Sequence, residues 1–411
     1  MADSPVFDSA NMTKTTNLSA LMKTYYDKLL LEIARPKIVL EQFADHSRDI
    51  PRHEGQTVSF QRFVPLNVVD SPISEGANPT LTKLQAMRFE ATLAKYANSV
   101  VITEEVDLMA LSPVLEAAVV ELGHNMGQSI NRLYRQCLAS RLYPMRVDNS
   151  ATYAKSGTVA SSGGGTSVIK TDLTEADHFW ADGTIVFTSG KNKGMSAHIT
   201  GYAQSNGQIT FSPALIEACE AGDTFRVVNS TNISSSNVVT CAAVERAVAF
   251  LKHQNAVPYD GRYYVGVISP FVQYDFMQDS AWVNAHNYAQ DGALFDGEIG
   301  RWGGVRWVED TDPWLEIPTD GTAHESTQDR GFGLYSATGT VNHTPIFGKH
   351  AFAGVRLEGT PDKLIIKKPG TGDTSNPINA YSVASWRAYF VAVVLNALFG
   401  VTLVSGASTV A

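Results

Sequence analysis

The chain predicts an α+β protein, and three observations carry that reading. Residues 50–103 alternate like a long two-stranded ribbon, Ser112-Pro113 opens one very long amphipathic helix, and residues 150–238 form a small β-rich insertion between Ser-, Gly- and Asn-rich stretches. With 411 residues, 44% hydrophobic and 18% charged, the chain can bury a sizeable core spread over two or three domains.

Residues 1–49 read as a polar arm followed by a helix. Leu21, Tyr25, Leu29 and Ile33 form its stripe, which stops before Pro36, and residues 38–43 continue as a short helix or turn. In the ribbon, Val58, Phe60, Val64 and Leu66 share one face of the first arm while Thr57, Ser59 and Gln61 share the other. The second arm answers with Met87, Phe89, Ala91 and Leu93 against Arg88, Glu90 and Thr92. Between them residues 70–79 are punctuated by Pro72, Gly76 and Pro79, a turn-rich tip. Arms of ~15 to 20 extended residues reach ~50 to 65 Å. A hairpin of that length is marginal in water, so it either lies on its own domain or finds its packing on another chain.

The helix reads from Ser112 to Leu142. Ser112 suits an N-cap, Pro113 the first helical position, and Glu116 puts negative charge in the first turn. Leu115, Val119, Leu122, Met126, Ile130, Leu133, Cys137 and Leu138 mark one stripe, and Pro144 ends it. Gly123 and Gly127, four apart, would admit a close backbone approach. The insertion offers four strands, at 184–187, 197–200, 208–211 and 224–228, and the triple glycine at 163–165 reads as a flexible loop. Beyond it a helix is expected at 242–253, a buried strand at 263–268, a helix start at 270–277, and strands at 305–308, 354–357 and 364–366. The apolar run 389–404 is broken by Asn396 and Gly400 and falls short of the ~20 residues a membrane-spanning helix needs, so it reads as two buried strands.

Composition narrows function. Three widely spaced cysteines, Cys137, Cys219 and Cys241, support neither a disulfide framework nor a zinc site and fit a reducing compartment, and the amino end lacks the pattern of a secretory signal. A net charge of −9 and a pI near 5.6 argue against binding nucleic acid by neutralising phosphates. No phosphate loop, His-Glu-x-x-His, Gly-x-Ser-x-Gly or calcium loop is present, so no catalytic, cofactor or metal residue is expected. Glu309, Asp310 and Asp312 read as a solvated acidic turn rather than a cation site, His46 and His53 as surface histidines, and Trp302, Trp307 and Trp314 as core or subunit contacts.

Two stretches carry a resemblance. One runs from Ala34-Arg35-Pro36 through Ile50-Pro51-Arg52-His53-Glu54-Gly55-Gln56-Thr57-Val58 and Ser74-Glu75-Gly76 to Val101-Ile102-Thr103-Glu104-Glu105-Val106-Asp107-Leu108. The other lies within 263–304: Tyr264-Val265-Gly266-Val267-Ile268-Ser269-Pro270, Tyr274-Asp275-Phe276, and Gly297-Glu298-Ile299-Gly300 with Gly303-Gly304-Val305-Arg306. Here the chain resembles the major capsid proteins of tailed double-stranded-DNA bacteriophages, especially the coat family of the N-four-like podophages. It departs from them at Ser269, where the family usually has histidine, and in the insertion.

The resemblance implies the Hong Kong ninety-seven type of coat fold. It makes 1–49 the N-terminal arm and helix, 50–103 the extended loop, 104–149 the spine helix of a peripheral domain, and 150–238 an inserted small β domain. Residues 239–375 then supply the axial domain and part of the peripheral domain, and 376–411 the strands that return to it. It also implies a virion structural protein that self-assembles, in the host cytoplasm, into hexamers and pentamers of an icosahedral head around packaged DNA, with loose DNA contact and no membrane. A portal and a decoration protein are further implied partners. A separate scaffolding protein is expected, because only some 35 to 50 residues precede the loop. On this reading Arg52, Arg62, Glu75 and Arg88 make loop-to-neighbour polar contacts. Rival readings are a tail-associated adhesin or receptor-binding protein, which would show repeats or trimeric β-helical periodicity that this chain lacks, and a hydrolase, for which spacing assembles no convergent titratable groups.

Overall fold

The computed structural model describes residues 39–408 except 46–49, 52–54, 64–68, 70–71, 74, 77, 79–80, 82–83, 85, 110–113, 161–163, 216, 230–232, 234–235, 260, 283–297, 312–314, 317–340, 359–362 and 368–379. Expectations for the first helix, His46, His53, Ser112-Pro113 and Trp314 fall outside these residues.

A 3-10 turn at Glu41–Phe43 precedes the ribbon. Its arms are β1 (Thr57–Phe63) and β2 (Ala86–Thr92), paired antiparallel with Phe60 opposite Phe89. The pairing covers seven residues of each arm. Residues 94–103, read with the ribbon, instead form β3 (Ala94–Thr103), a strand of a separate sheet. Its sequence Ala-Lys-Tyr-Ala-Asn-Ser lacks an apolar alternation because half of it faces solvent.

A short α1 (Glu104–Met109) leads to α2 (Val114–Arg141), 28 residues or about 42 Å long. Leu122, Ile130 and Leu138 of the expected stripe are buried, and so are Asn131, Tyr134 and Arg135 beside them. A Cβ at Gly123 would meet open space, so no backbone presses on the helix there. The helix stops ahead of Pro144, which sits in β4 (Tyr143–Arg146).

The insertion contains β5 (Ala154–Thr158), β6 (Val168–Lys170), β7 (Thr184–Phe187), β8 (Ser196–Ala203), β9 (Gln208–Ser212) and β10 (Thr224–Val228). Four were expected; β5 and β6 are too short and too rich in Ser, Gly and Lys to announce themselves. The sheet order is β5-β10-β7-β8-β9-β6, and a Val159–Thr171 bridge with Ala160 N donating to Lys170 O joins its two ends. This contact closes the sheet into a small barrel. Trp180, Ile185, Phe187, Ile199, Ile209, Phe211 and Phe225 fill it. The triple glycine is not a free loop either, since a Cβ at Gly164 would lie 1.8 Å from the Cys219 carbonyl.

The remaining elements are α3 (Cys241–His253), β11 (Tyr264–Ile268), α4 (Pro270–Met277), β12 (Glu298–Trp302), β13 (Val305–Glu309), β14 (Leu315–Glu316), β15 (Val341–Phe347), β16 (Phe352–Arg356), β17 (Lys363–Lys367), β18 (Tyr381–Val394) and β19 (Gly400–Ser405). The Gly-Glu-x-Gly segment is strand from Glu298 onward, and a turn lies at Gly303 and Gly304, both at positive φ. The central sheet runs β12-β13-β11-β15-β19-β4, with β14 beside β15. It lies between two helical layers. Val244, Val248 and Leu251 of α3 with Val272 and Phe276 of α4 cover one face, and Ile130, Tyr134 and Leu138 of α2 cover the other. Every residue of β11, β15 and β19 is buried, which is why they read as continuous apolar or mixed runs rather than alternating ones.

In the second sheet β18 pairs with β3 on one side and with β16 and β17 on the other. Its even positions Ala384, Trp386 and Ala388 pack on Leu122 of α2, and Trp386 Nε1 donates to Asn125 Oδ1 at 3.0 Å. The long helix thus spans both sheets. Its last carbonyls find hydroxyl donors at Thr402 (to Leu138), Thr184 (to Ser140) and Ser196 (to Arg141), so two barrel strands cap it.

Candidate assembly surface

The base of the ribbon is held by its own chain. Val58, Phe60 and Ala91 pack on Ile50, Ala353, Val355 and Val393, burying the apolar face against β16 and β18. The other face is polar and open. Thr57 and Thr92 hydroxyls meet at 3.2 Å, Arg88 Nε donates to Ser59 Oγ at 2.8 Å, and Arg88 pairs with Glu90 at 2.5 Å.

Beyond Arg62 the described apolar residues are exposed. Phe63, Val69, Ile73, Leu81 and Leu84 are exposed at 62%, 79%, 55%, 94% and 64%. These are five large apolar side chains in water within some 20 residues of chain. Glu75 and Gly76 sit exposed in a turn among them, Gly76 at φ +81°.

Arg62 has an unexpected role, as the joint between ribbon and barrel. Its Nη2 donates to the Lys193 carbonyl at 2.8 Å, and burial lowers the guanidinium pKa from its ordinary value. Gly194 follows at φ +81°, where a Cβ would stand 2.9 Å from Arg62 Nη2 and 3.1 Å from Asn396 Oδ1. Ala397 N donates to the Gly194 carbonyl, and Met195 joins the cluster under the ribbon. A barrel turn is therefore wedged between the ribbon and the chain that follows β18. Only the Lys-Asn-Lys-Gly sequence hints at a turn there; its partner 131 residues away left no local signal.

The other predicted positions do not converge. Arg52 lies outside the described residues, Arg88 is on the polar face of β2, and Glu75 is at the tip. The acidic turn proves different: Asp310 is buried, accepting from Arg135 Nε at 2.7 Å and from Asn131 Nδ2 at 3.0 Å. It holds α2 to the central sheet and is not solvated. Trp307 is fully buried against Phe276, and Trp302 packs on Trp282. Burial raises the Cys219 and Cys241 thiols to about 11 and about 12, which keeps them protonated. Among the described residues no group of three His, Cys, Asp or Glu stands in an arrangement that would hold a metal ion, and no helix is long and apolar enough to cross a membrane.

No model of a known protein family matches the chain, and no curated protein is similar to it. Solved structures are. The capsid of Ralstonia phage GP4 aligns over 100% of both chains with a TM-score of 0.53 at 13% identity. The cyanophage Pam1 capsid chain aligns over 99% of this chain and 100% of its own, TM-score 0.52 at 14% identity. The cyanophage P-SCSP1u capsid aligns over 98% and 100%, TM-score 0.51 at 12% identity. At such identities the likeness speaks for the backbone, and it covers the whole length: this chain has the α+β fold of phage capsid chains.

Proposed function

We propose that the chain is the major capsid protein of a tailed double-stranded-DNA phage and acts as a structural subunit rather than an enzyme. The observation that carries the reading is the ribbon: anchored by an apolar base, it exposes five large apolar side chains at the end of a fold matched along its full length by phage capsid chains. Burying such side chains on a neighbouring copy is worth roughly 1.5–3 kcal/mol each, and weak contacts repeated around closed rings of identical subunits add up. Stability then belongs to the lattice and depends on protomer concentration.

The finer reading is a coat of the N-four-like podophage type with the Hong Kong ninety-seven architecture, forming hexamers and pentamers of an icosahedral head around DNA. Assembly would take place in the host cytoplasm, with a scaffolding protein, a portal and a decoration protein as partners and loose DNA contact, in keeping with a net charge of −9. We assign Arg52, Glu75 and Arg88 to loop-to-neighbour contacts, while Arg62 anchors the ribbon first and meets a neighbour only through that pose. Negative-stain microscopy of the chain, alone and co-expressed with the products of adjacent genes, tests the proposal. Shells or hexamers are expected with the partners present, and Glu75→Lys should lower their yield without unfolding the subunit. Persistent trimers or a lone monomer would favour an adhesin instead.

A further inference from the structure

A cavity of about 420 Å³ opens where the barrel meets the central sheet. Three elements wall it: β4 with the turn after it, α3, and strands β5 and β10 of the barrel. Three guanidinium groups line it, Arg146 from β4, Arg226 from β10 and Arg246 from α3.

They are not equivalent. Arg146 is saturated: it meets both carboxylate oxygens of Asp148, at 3.1 and 2.7 Å, donates to the Asn229 carbonyl at 2.8 Å and lies 4.4 Å over the Tyr153 ring. Arg246 spends Nη2 on the Arg146 carbonyl at 2.7 Å, and Arg226 stands 5.9 Å over the Tyr143 ring. The Nε atoms of Arg226 and Arg246 are both buried with no hydrogen-bond partner among the described residues. Asp148 attracts Arg246 as well as Arg146, and three guanidiniums with one carboxylate leave a net charge of +2 at the cavity. Two like charges facing one space repel. Asn149 and Ser150 add polar groups to the wall, and Tyr143 and Phe250 add an aromatic pair stacked at 4.2 Å.

We propose that this cavity binds a phosphate-type oxyanion of a small molecule, held by Arg226 and Arg246. Guanidinium forks match the paired oxygens of a phosphate, and a dianion offsets both charges. The volume lies within the range of small-ligand sites and is far too small for a nucleic-acid duplex. The bound oxyanion would bridge β10 to α3 and so brace the barrel against the body. The site goes beyond the capsid reading and stands without it, since it is complete in one chain.

Isothermal titration of the unassembled full-length chain with inorganic phosphate, and separately with adenosine monophosphate, tests it at constant ionic strength held by sodium chloride. Saturable binding of at least one probe is expected, weakened by at least about tenfold in Arg226→Gln/Arg246→Gln. Tighter binding of the monophosphate would extend the site onto the Tyr143–Phe250 wall. Should the double variant not fold, Arg226→Gln alone, a partly exposed position, replaces it with the same expectation, and the wild-type melting temperature should rise with phosphate but not with matched chloride. Absence of saturable binding by either probe, or undiminished binding in the variant, would overturn the proposal.

Discussion

The ribbon and the barrel are both built from antiparallel strands inserted around α2, yet they solve opposite problems. In the barrel six strands close on themselves, and a core with Trp180, Phe187 and Phe225 fully buried serves it alone. In the ribbon two strands have one buried face, borrowed from β16 and β18, and an apolar end that stands exposed among the described residues. The barrel's stability is its own; the ribbon's is shared with the body at the base and, on the proposed function, with a neighbour at the tip. Arg62 and Gly194 join the two, so the self-sufficient module sets the pose of the dependent one.

The largest expected effect lies in the barrel. Phe225→Ala should cost about 3–5 kcal/mol in urea unfolding, because the site sits inside a closed ring that cannot collapse around the cavity. Phe60→Ala at the ribbon base should cost about 2 kcal/mol, since its packing is one-sided. Hydrogen exchange should speed in β1 and β2 and stay unchanged in β7 to β10; equal loss of protection in both would merge the two regions into one cooperative unit. Arg62→Ala should remove about 1 kcal/mol and make the ribbon cleavable by protease at lower enzyme concentration, with the barrel intact.

The body, against which both regions lean, has its own signature. Hydrogen bonding from the Cys241 amide at 2.8 Å holds Asp279 below the ordinary carboxylate value and helps cap α3. A depressed folded pKa contributes stability that is present above the unfolded pKa near 3.9 and is lost as pH falls through the folded one. Asp279→Asn should therefore cost about 0.5–1 kcal/mol at pH 7 and progressively less below about pH 4, as read by thermal melts across that range. Smallest of all on monomer stability, Leu81→Ser should change it by no more than about 0.5 kcal/mol, because the side chain is in water already.

How much of this was legible follows from where each signal resides. Strands at 184–187 and 224–228 and the helix at 270–277 coincide with β7, β10 and α4, because turn residues and a proline at the first helical position mark their ends locally. The ribbon's alternation correctly placed Val58 and Phe60 on a buried face, but it could not say that the covering surface belongs to the same chain, since Val355 and Val393 lie some 300 residues away. β15 went unread because Asn342, His343 and Pro345 break an apolar run, though all are buried. Asp310 looked like surface because its counter-charge, Arg135, sits on the polar-looking flank of a helix whose hydrophobic stripe drew the eye. The Arg62–Lys193 joint left no sequence trace, for a backbone carbonyl acceptor constrains no side chain.

The central claim is that the exposed tip is an assembly surface. Sedimentation velocity of the chain co-expressed with the products of adjacent genes, compared with a Leu81→Ser/Leu84→Ser variant of unchanged melting temperature, tests it most directly. The account predicts large closed particles for the wild type and slowly sedimenting subunits or small oligomers for the variant. Particles of equal size and yield from both would contradict it.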